Sequence, residues 1–163
     1  NRLVQKLINP AGLGRRELVA GEKLFREHDR VIHRRNNYDL GVFNGDIGTI
    51  LEIDSSDFNA VIRYKDDRGH KDICYQREDL SEIELAYAIT IHKSQGSEFD
   101  VVIIPVMTQH YKMLYRNLIY TALTRAKKMA IFVGTRRAFS MAIGNDDARI
   151  RQTALQHLLS NIS

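Results

Sequence analysis

Residues 99–106 read Phe99-Asp100-Val101-Val102-Ile103-Ile104-Pro105-Val106. From Val101 onward the run is continuously apolar, the pattern of a strand covered on both faces in a parallel sheet. Working outward, Leu118 to Ala126 repeats apolar residues at helical spacing, and Met129 to Val133 returns to strand-forming residues. Upstream, Leu85 to Ile91 is apolar and β-prone. Strands alternating with helices predict an α/β layer built on a parallel sheet. A final amphipathic helix is expected through Ala148, Leu155, Leu158 and Leu159.

The period is different before Leu80. Val31-Ile32 and Ile47 to Ile53 are strand cores, and Asn59 to Lys65 and His70 to Gln76 flank Asp66-Asp67-Arg68-Gly69, a hairpin turn signal. Asn44-Gly45-Asp46 and Asp54-Ser55-Ser56-Asp57 mark two more turns. Such closely spaced strands predict a small barrel of the SH3 or OB size. At the start, Leu3, Val4, Leu7 and Ile8 recur at helical spacing up to Asn9-Pro10, which ends the helix, and a loop follows to Gly14. A β barrel is therefore expected to be inserted into, or docked beside, an α/β domain.

The 163 residues carry a formal charge of +4, with 44% hydrophobic and 27% charged residues. That is an ordinary globular composition, which argues against a disordered chain. No apolar run approaches the roughly 20 residues needed to cross a bilayer, and no signal-peptide core is present. Cys74 stands alone, which excludes an internal disulfide and fits a reducing compartment. The charge is uneven: +3 over residues 1–25, −3 over 26–80 and +4 over 81–163. An acidic module between two basic ones is the reading.

Two stretches could carry chemistry. Thr90-Ile91-His92-Lys93-Ser94-Gln95-Gly96-Ser97-Glu98 lies between two strand signals, where open α/β sheets bind ligands. Its donors and its glycine suit a phosphate or a sugar, although polar residues also fill any solvated connection. Tyr120 to Lys128 contains Arg125, three positions after Ala122 and seven after Leu118, hence on the same helical face. An arginine there either caps the helix or presents its fixed fork of donors to a phosphate. There is no G-x-x-x-x-G-K-[ST], so nothing in the chain cradles the β- and γ-phosphates. The six histidines are scattered and Cys74 has no partner cysteine, so no metal site is expected.

Tyr87 to Phe99 resembles motif V, and Leu118 to Lys128 resembles motif VI, of the RecD-type branch of superfamily 1 DNA helicases. Asn36-Asn37-Tyr38-Asp39 with Val42 to Gly48 resembles the start of that family's SH3-like 2B domain, and Asn1 to Pro10 resembles the helix before it. The resemblance implies a RecA-like domain 2A from residues 1–26 and 81–163, interrupted by a 2B barrel at 27–80. It also implies a C-terminal portion of a 5′-to-3′ helicase, inactive alone because Walker A and Walker B are absent. ATP and Mg²⁺ are the cofactors implied for the full-length enzyme, and none is expected on this fragment alone.

Arg125 matches the motif VI arginine finger. Gly96 and Glu98 match the nucleotide side of motif V, and Thr90, His92 and Ser94 its DNA side; Gln95 and Lys93 could serve either side and are assigned to ATP and to DNA respectively. Arg34, Arg35 and Asn37 join the DNA-binding candidates, with Arg26 and Arg30 in the same basic cluster and Tyr38 and Phe43 placed to stack on bases or to fill a core. The implied partners are single-stranded DNA, a missing N-terminal RecA-like domain and RecB/RecC-like nuclease subunits, with no membrane and a cytoplasmic location. A non-catalytic nucleic-acid-binding module with a helicase-like fold is the alternative.

Overall fold

A computed structural model describes residues 1–12, 14–66 and 69–145. The helix expected through Ala148 to Leu159 lies outside the described residues. The chain forms two compact units, Asn1–Ser97 and Glu98–Ser163.

The first unit opens with helix α1 (Arg2–Ile8) and a tight hairpin, β1 (Glu17–Ala20) and β2 (Lys23–Arg26). A five-stranded antiparallel sheet follows: β3 (Arg30–His33), β4 (Ile47–Asp54), β5 (Asn59–Asp66), β6 (Gly69–Tyr75) and β7 (Ile83–Leu85), in the order β6-β5-β4-β3-β7. The strand cores read in the sequence supply the inward face. Val31, Ile50, Ile53, Ala60, Ile62, Tyr64, Ile73 and Tyr75 form one core, to which the hairpin adds Leu18 and Phe25 and the residues after β6 add Leu80 and Ile83. That core therefore draws on residues before position 27 and after position 80. Gly48 in β4 faces Ile62 and the Arg63 carbonyl so closely that a β-carbon would stand 2.7 and 2.9 Å from them.

The α1 helix forms where the spacing predicts it and ends before Asn9-Pro10; Leu3 and Leu7 on it are 72% and 75% exposed, whereas Gln5 and Asn9 are buried. The reason is polar: those two amides donate to Asp29, itself fully buried. The stretch Leu85 to Ile91 was expected to be a strand of the parallel sheet. Instead β7 ends at Leu85 and pairs antiparallel with β3, through Val31↔Leu85, Ile32↔Glu84 and His33↔Ile83. The loop that follows is therefore not at the end of a parallel strand.

In the second unit β8 (Phe99–Val106) and β9 (Ala126–Gly134) pair in parallel, joined by a 3-10 segment (Thr108–Met113) and helix α2 (Arg116–Leu123); α3 (Arg136–Gly144) follows. A β-carbon on Gly134 would stand 1.8 Å from the Val106 carbonyl oxygen, so only glycine permits this end of the ladder to close. The side of β8 bearing Ile104 and Val106 is buried. The opposite side of the two strands exposes Val101, Ile103, Ile131 and Val133. The helix expected over Leu118 to Ala126 ends at Leu123, because Ala126 already pairs with Phe99. The chain is thus mixed α/β, with an antiparallel sheet in one unit and a parallel pair in the other.

Candidate functional site

The segment entering the Thr90–Ser97 loop is fixed by three sets of hydrogen bonds. Ala86 N donates to the Arg30 carbonyl at 2.7 Å. The Tyr87 hydroxyl donates to Asp29 Oδ1 at 2.8 Å. Ala88 exchanges a pair with the Asn1 side chain, at 2.7 and 2.9 Å. Burial and the neighbouring Asp29 carboxylate push the Tyr87 hydroxyl up to about 12, so it stays a donor at neutral pH.

Beyond Ile89 the chain coils into tight turns. Thr90 Oγ1 accepts from Lys93 N at 3.2 Å, and Ser94 Oγ donates to the Ile91 carbonyl at 2.7 Å. Ser94 is buried, so its hydroxyl holds the loop together rather than facing solvent. His92, Lys93, Gln95 and Gly96 are on the outside. Gly96 adopts φ +83 with open space where a β-carbon would be, a left-handed position that favours glycine.

Lys93 joins the loop to the basic approach of the first unit's sheet. Its Nζ lies 2.9 Å from Glu84 Oε2, while Arg34 Nη1 lies 3.0 Å from Glu84 Oε1. Two residues earlier, Glu82 takes Arg35 Nε at 3.3 Å and Asn37 Nδ2 at 3.0 Å. Glu82 ends a 3-10 turn (Asp79–Glu82) and Glu84 follows in β7, and the two carboxylates between them hold Arg34, Arg35, Asn37 and Lys93. Asn37 also accepts from Leu40 N and pairs its backbone with Val42, which closes a compact loop. That loop exposes Tyr38 (78%) and Phe43 (49%), packed edge to face 6.0 Å apart. The core role open to these two aromatics is excluded. Arg26, by contrast, is buried against Glu17 and the Asn9 carbonyl and takes no part in this cluster.

In the second unit Arg125 occupies the turn between α2 and β9, not the helical face shared with Ala122 and Leu118 that its spacing suggested. Its carbonyl accepts from Phe99 N at 2.9 Å, its amide donates to the Ala122 carbonyl at 3.2 Å, and its guanidinium lies 3.3 Å from Thr124 Oγ1. Glu98, at the start of this unit, is exposed and pairs with Lys127 at 3.2 Å. Lys128 pairs with Asp100 at 2.7 Å. Among the described residues no group of His, Cys, Asp or Glu could hold a metal ion, and no helix is long and apolar enough to cross a membrane.

Residues 1–64 match the family described as the ATP-dependent RecD-like DNA helicase SH3 domain, and residues 85–133 match the UvrD-like helicase C-terminal domain. An ATP-dependent RecD2 DNA helicase from Deinococcus radiodurans is 34% identical over 159 residues, 95% of this chain and 20% of that protein. The chain belongs to the RecD-like helicase family. A RecBCD enzyme subunit RecD from Mycobacterium tuberculosis is 38% identical over 114 residues, 70% of the RecD-like chain and 19% of that subunit. The chain thus spans about a fifth of the length of these curated relatives. A solved Pif1 helicase from Bacteroides, in complex with ADP-AlF3 and ssDNA, shares the fold with a TM-score of 0.53 at 20% identity, over 99% of this chain and 44% of that one.

Several residues that shape the RecD-like chain's site had no signal in the sequence. Asp29, Gln5 and Asn9 look like surface polar residues, and Glu82 and Glu84 look like part of a solvated charge pattern. His33, although fully buried, lies with Nδ1 3.1 Å from the Tyr75 hydroxyl and Nε2 3.3 Å from Glu82 Oε2; the Tyr75 and Tyr64 hydroxyls are 2.8 Å apart. Burial holds His33 below its ordinary value of 6.5, outweighing Glu82, Asp46 and Asp79, which favour its charged form; Arg35 disfavours it. The unfolded chain therefore takes up a proton near pH 6.5 that the folded one refuses. Stability should be level above about pH 7 and fall as pH drops below about 6.5. Urea unfolding of the parent and of His33→Gln across this range checks it. The variant should lose that slope, while the fall from the low-lying Glu84 and Asp72 carboxylates, below about pH 4.5, remains.

Proposed function

We propose that this chain is the C-terminal part of an ATP-dependent DNA helicase that moves 5′-to-3′, supplying one wall of an ATP site and part of a single-stranded DNA channel. The observation that carries the DNA reading is the convergence of Arg34, Arg35, Asn37 and Lys93 on one face, through Glu82 and Glu84. Residues more than fifty positions apart gather cations and amide donors, the groups that contact a phosphate backbone. Exposed Tyr38 and Phe43 beside them offer ring faces for bases. Thr90 and Ser94 serve by shaping the loop, and His92 and Lys93 by reaching the strand.

On the nucleotide side, the resemblance to motif VI gives Arg125 the role of arginine finger, and the resemblance to motif V gives Gly96, Gln95 and Glu98 contacts to the nucleotide. A pinned backbone and a guanidinium able to stabilise charge on a transferring phosphoryl group support this role. ATP is the substrate, and Mg²⁺ would be held with it by the Walker residues of the other RecA-like domain. The similarity to a RecD2 DNA helicase and to RecD subunits supports the same activity.

The layout proposed is a RecA-like domain 2A from the chain's two ends around an SH3-like domain 2B. The shared core of Leu18, Phe25 and Ile83 supports drawing the 2B boundary wider than 27–80. The apolar side of β8 and β9, with Val101 and Ile131 exposed, supports a larger assembly around this layer. The setting is cytoplasmic, and RecB/RecC-like subunits are candidate partners.

The test is to join the chain to a Walker-bearing RecA-like domain of a RecD-type helicase. DNA-stimulated ATP hydrolysis should appear, and the chain itself should bind single-stranded DNA with an affinity that falls steeply with salt. Binding without any hydrolysis in the joined protein would favour the non-catalytic module.

A further inference from the structure

We propose that Glu84 is a built-in competitor for backbone phosphate: it holds Arg34 and Lys93 until a phosphate displaces it, and so sets how tightly this face takes a nucleic acid strand. The inference rests on the reading that this face binds single-stranded DNA.

The geometry sets Glu84 apart from its neighbour. Each of its oxygens receives one cation, Arg34 on one side at 3.0 Å and Lys93 on the other at 2.9 Å. A phosphate bridging the same two side chains would present two oxygens in the same way. The carboxylate is one-third exposed, and the Arg34 and Lys93 side chains are 50% and 41% exposed, so all three are reachable from solvent. Glu82 is different: only 14% exposed, wedged between His33 and the Asn37 amide, it builds the fold. Glu84 lies on β7, an edge strand of three residues hydrogen-bonded on one side to β3, where an incoming strand could approach.

The charges point the same way. Lys93, through its hydrogen bond and its charge, then Arg34 and less directly Lys23, favour ionised Glu84 and keep its carboxyl below the usual range against the opposing effect of partial burial. Lys23 is tied to the Ser81 and Ile83 carbonyls, at 3.0 and 2.9 Å, leaving Arg34 and Lys93 as the cations free to exchange partners. Ion pairs this exposed add little to stability, so the arrangement gains the fold little. Its consequence for binding is larger. A strand reaching this face must first separate the two cations from a carboxylate, and the negative charge stays close by afterwards.

The experiment measures binding of a labelled oligothymidylate to the parent chain, Glu84→Gln, Glu84→Ala and the double variant Arg34→Ala/Lys93→Ala over a salt series, with thermal unfolding to show that each is folded. Both Glu84 variants should bind roughly 3- to 10-fold more tightly at low salt, with the log–log salt slope steeper by about 0.7 for each phosphate newly engaged. The double variant should bind more weakly with a shallower slope. If the double variant weakens binding while the Glu84 variants match the parent or bind less tightly, the competitor role is overturned and the DNA face stands. If the double variant matches the parent, the DNA face itself falls, and the competitor with it.

Discussion

Replacing Arg125 by alanine should lower DNA-stimulated ATP hydrolysis by about 10³-fold or more, measured on the chain joined to a Walker-bearing RecA-like domain of a RecD-type helicase, and leave nucleotide binding nearly unchanged. The size follows from what an arginine finger does. It touches charge that grows on the phosphoryl group in the transition state and is small in the ground state, so its loss appears in kcat far more than in KM. The local structure suits that task. Arg125 is held at both backbone groups, its carbonyl by Phe99 at the head of β8 and its amide by Ala122 at the end of α2. The side chain therefore starts from a fixed point where helix and strand meet, and little ordering remains for the reaction to impose. Arg125→Lys keeps the charge but loses the planar fork and should recover only a small part of the rate. Hydrolysis by Arg125→Ala at the parent rate would sink the assignment, and a rise in KM with kcat intact would make Arg125 a binding residue instead.

How much of this was legible depended on whether the residues answered to their own strand or helix or to something distant. Strands β3 to β6 were readable because short runs rich in Val, Ile and Tyr stand between turn signals; β5 alternates inward and outward residues, whereas Val31, Ile32 and His33 of β3 are all buried. The hairpin β1–β2 was not: each strand has four residues, and only Leu18 and Phe25 reach the core. The α1 helix was legible as a helix, but the burial of its polar residues was not, since nothing near Gln5 or Asn9 in sequence announces Asp29. The stretches that resemble motifs V and VI could be marked off in the sequence, whereas the backbone carrying them could not. An apolar stretch at Leu85 could belong to either sheet, and pairing with Val31, more than fifty residues earlier, decided between them. The face holding Arg34 and Lys93 is legible only in three dimensions, because the carboxylate that joins them is nine residues from one and fifty from the other.

Asp29→Ala should destabilise the first unit by about 4 kcal/mol, near the upper end of single-residue effects. The carboxylate is fully buried and accepts four hydrogen bonds, two on each oxygen. Oδ1 takes Asn9 Nδ2 at 2.7 Å and the Tyr87 hydroxyl at 2.8 Å; Oδ2 takes Gln5 Nε2 at 2.5 Å and Arg26 N at 2.7 Å. Removing it leaves four donors facing a void, and a buried donor without a partner costs about 1–3 kcal/mol. Water entering the void and the second bonds that Gln5 and Asn9 make, to the Leu24 and Glu27 carbonyls, bring the sum down. Asp29→Asn keeps the volume but turns an amide NH₂ toward donors, so it should cost a large fraction of the same amount. Urea unfolding gives the cost, and a value under about 1 kcal/mol for Asp29→Ala would overturn the account. Amide exchange supplies a second reading. The Tyr87 bond to Asp29 ties the loop's approach to α1, so exchange at Ala86 and Ala88 should quicken in Asp29→Ala more than exchange in β5, whose amides are held by its ladders with β4 and β6. A buried acid remote from any ligand would then be what keeps the Thr90–Ser97 loop in place.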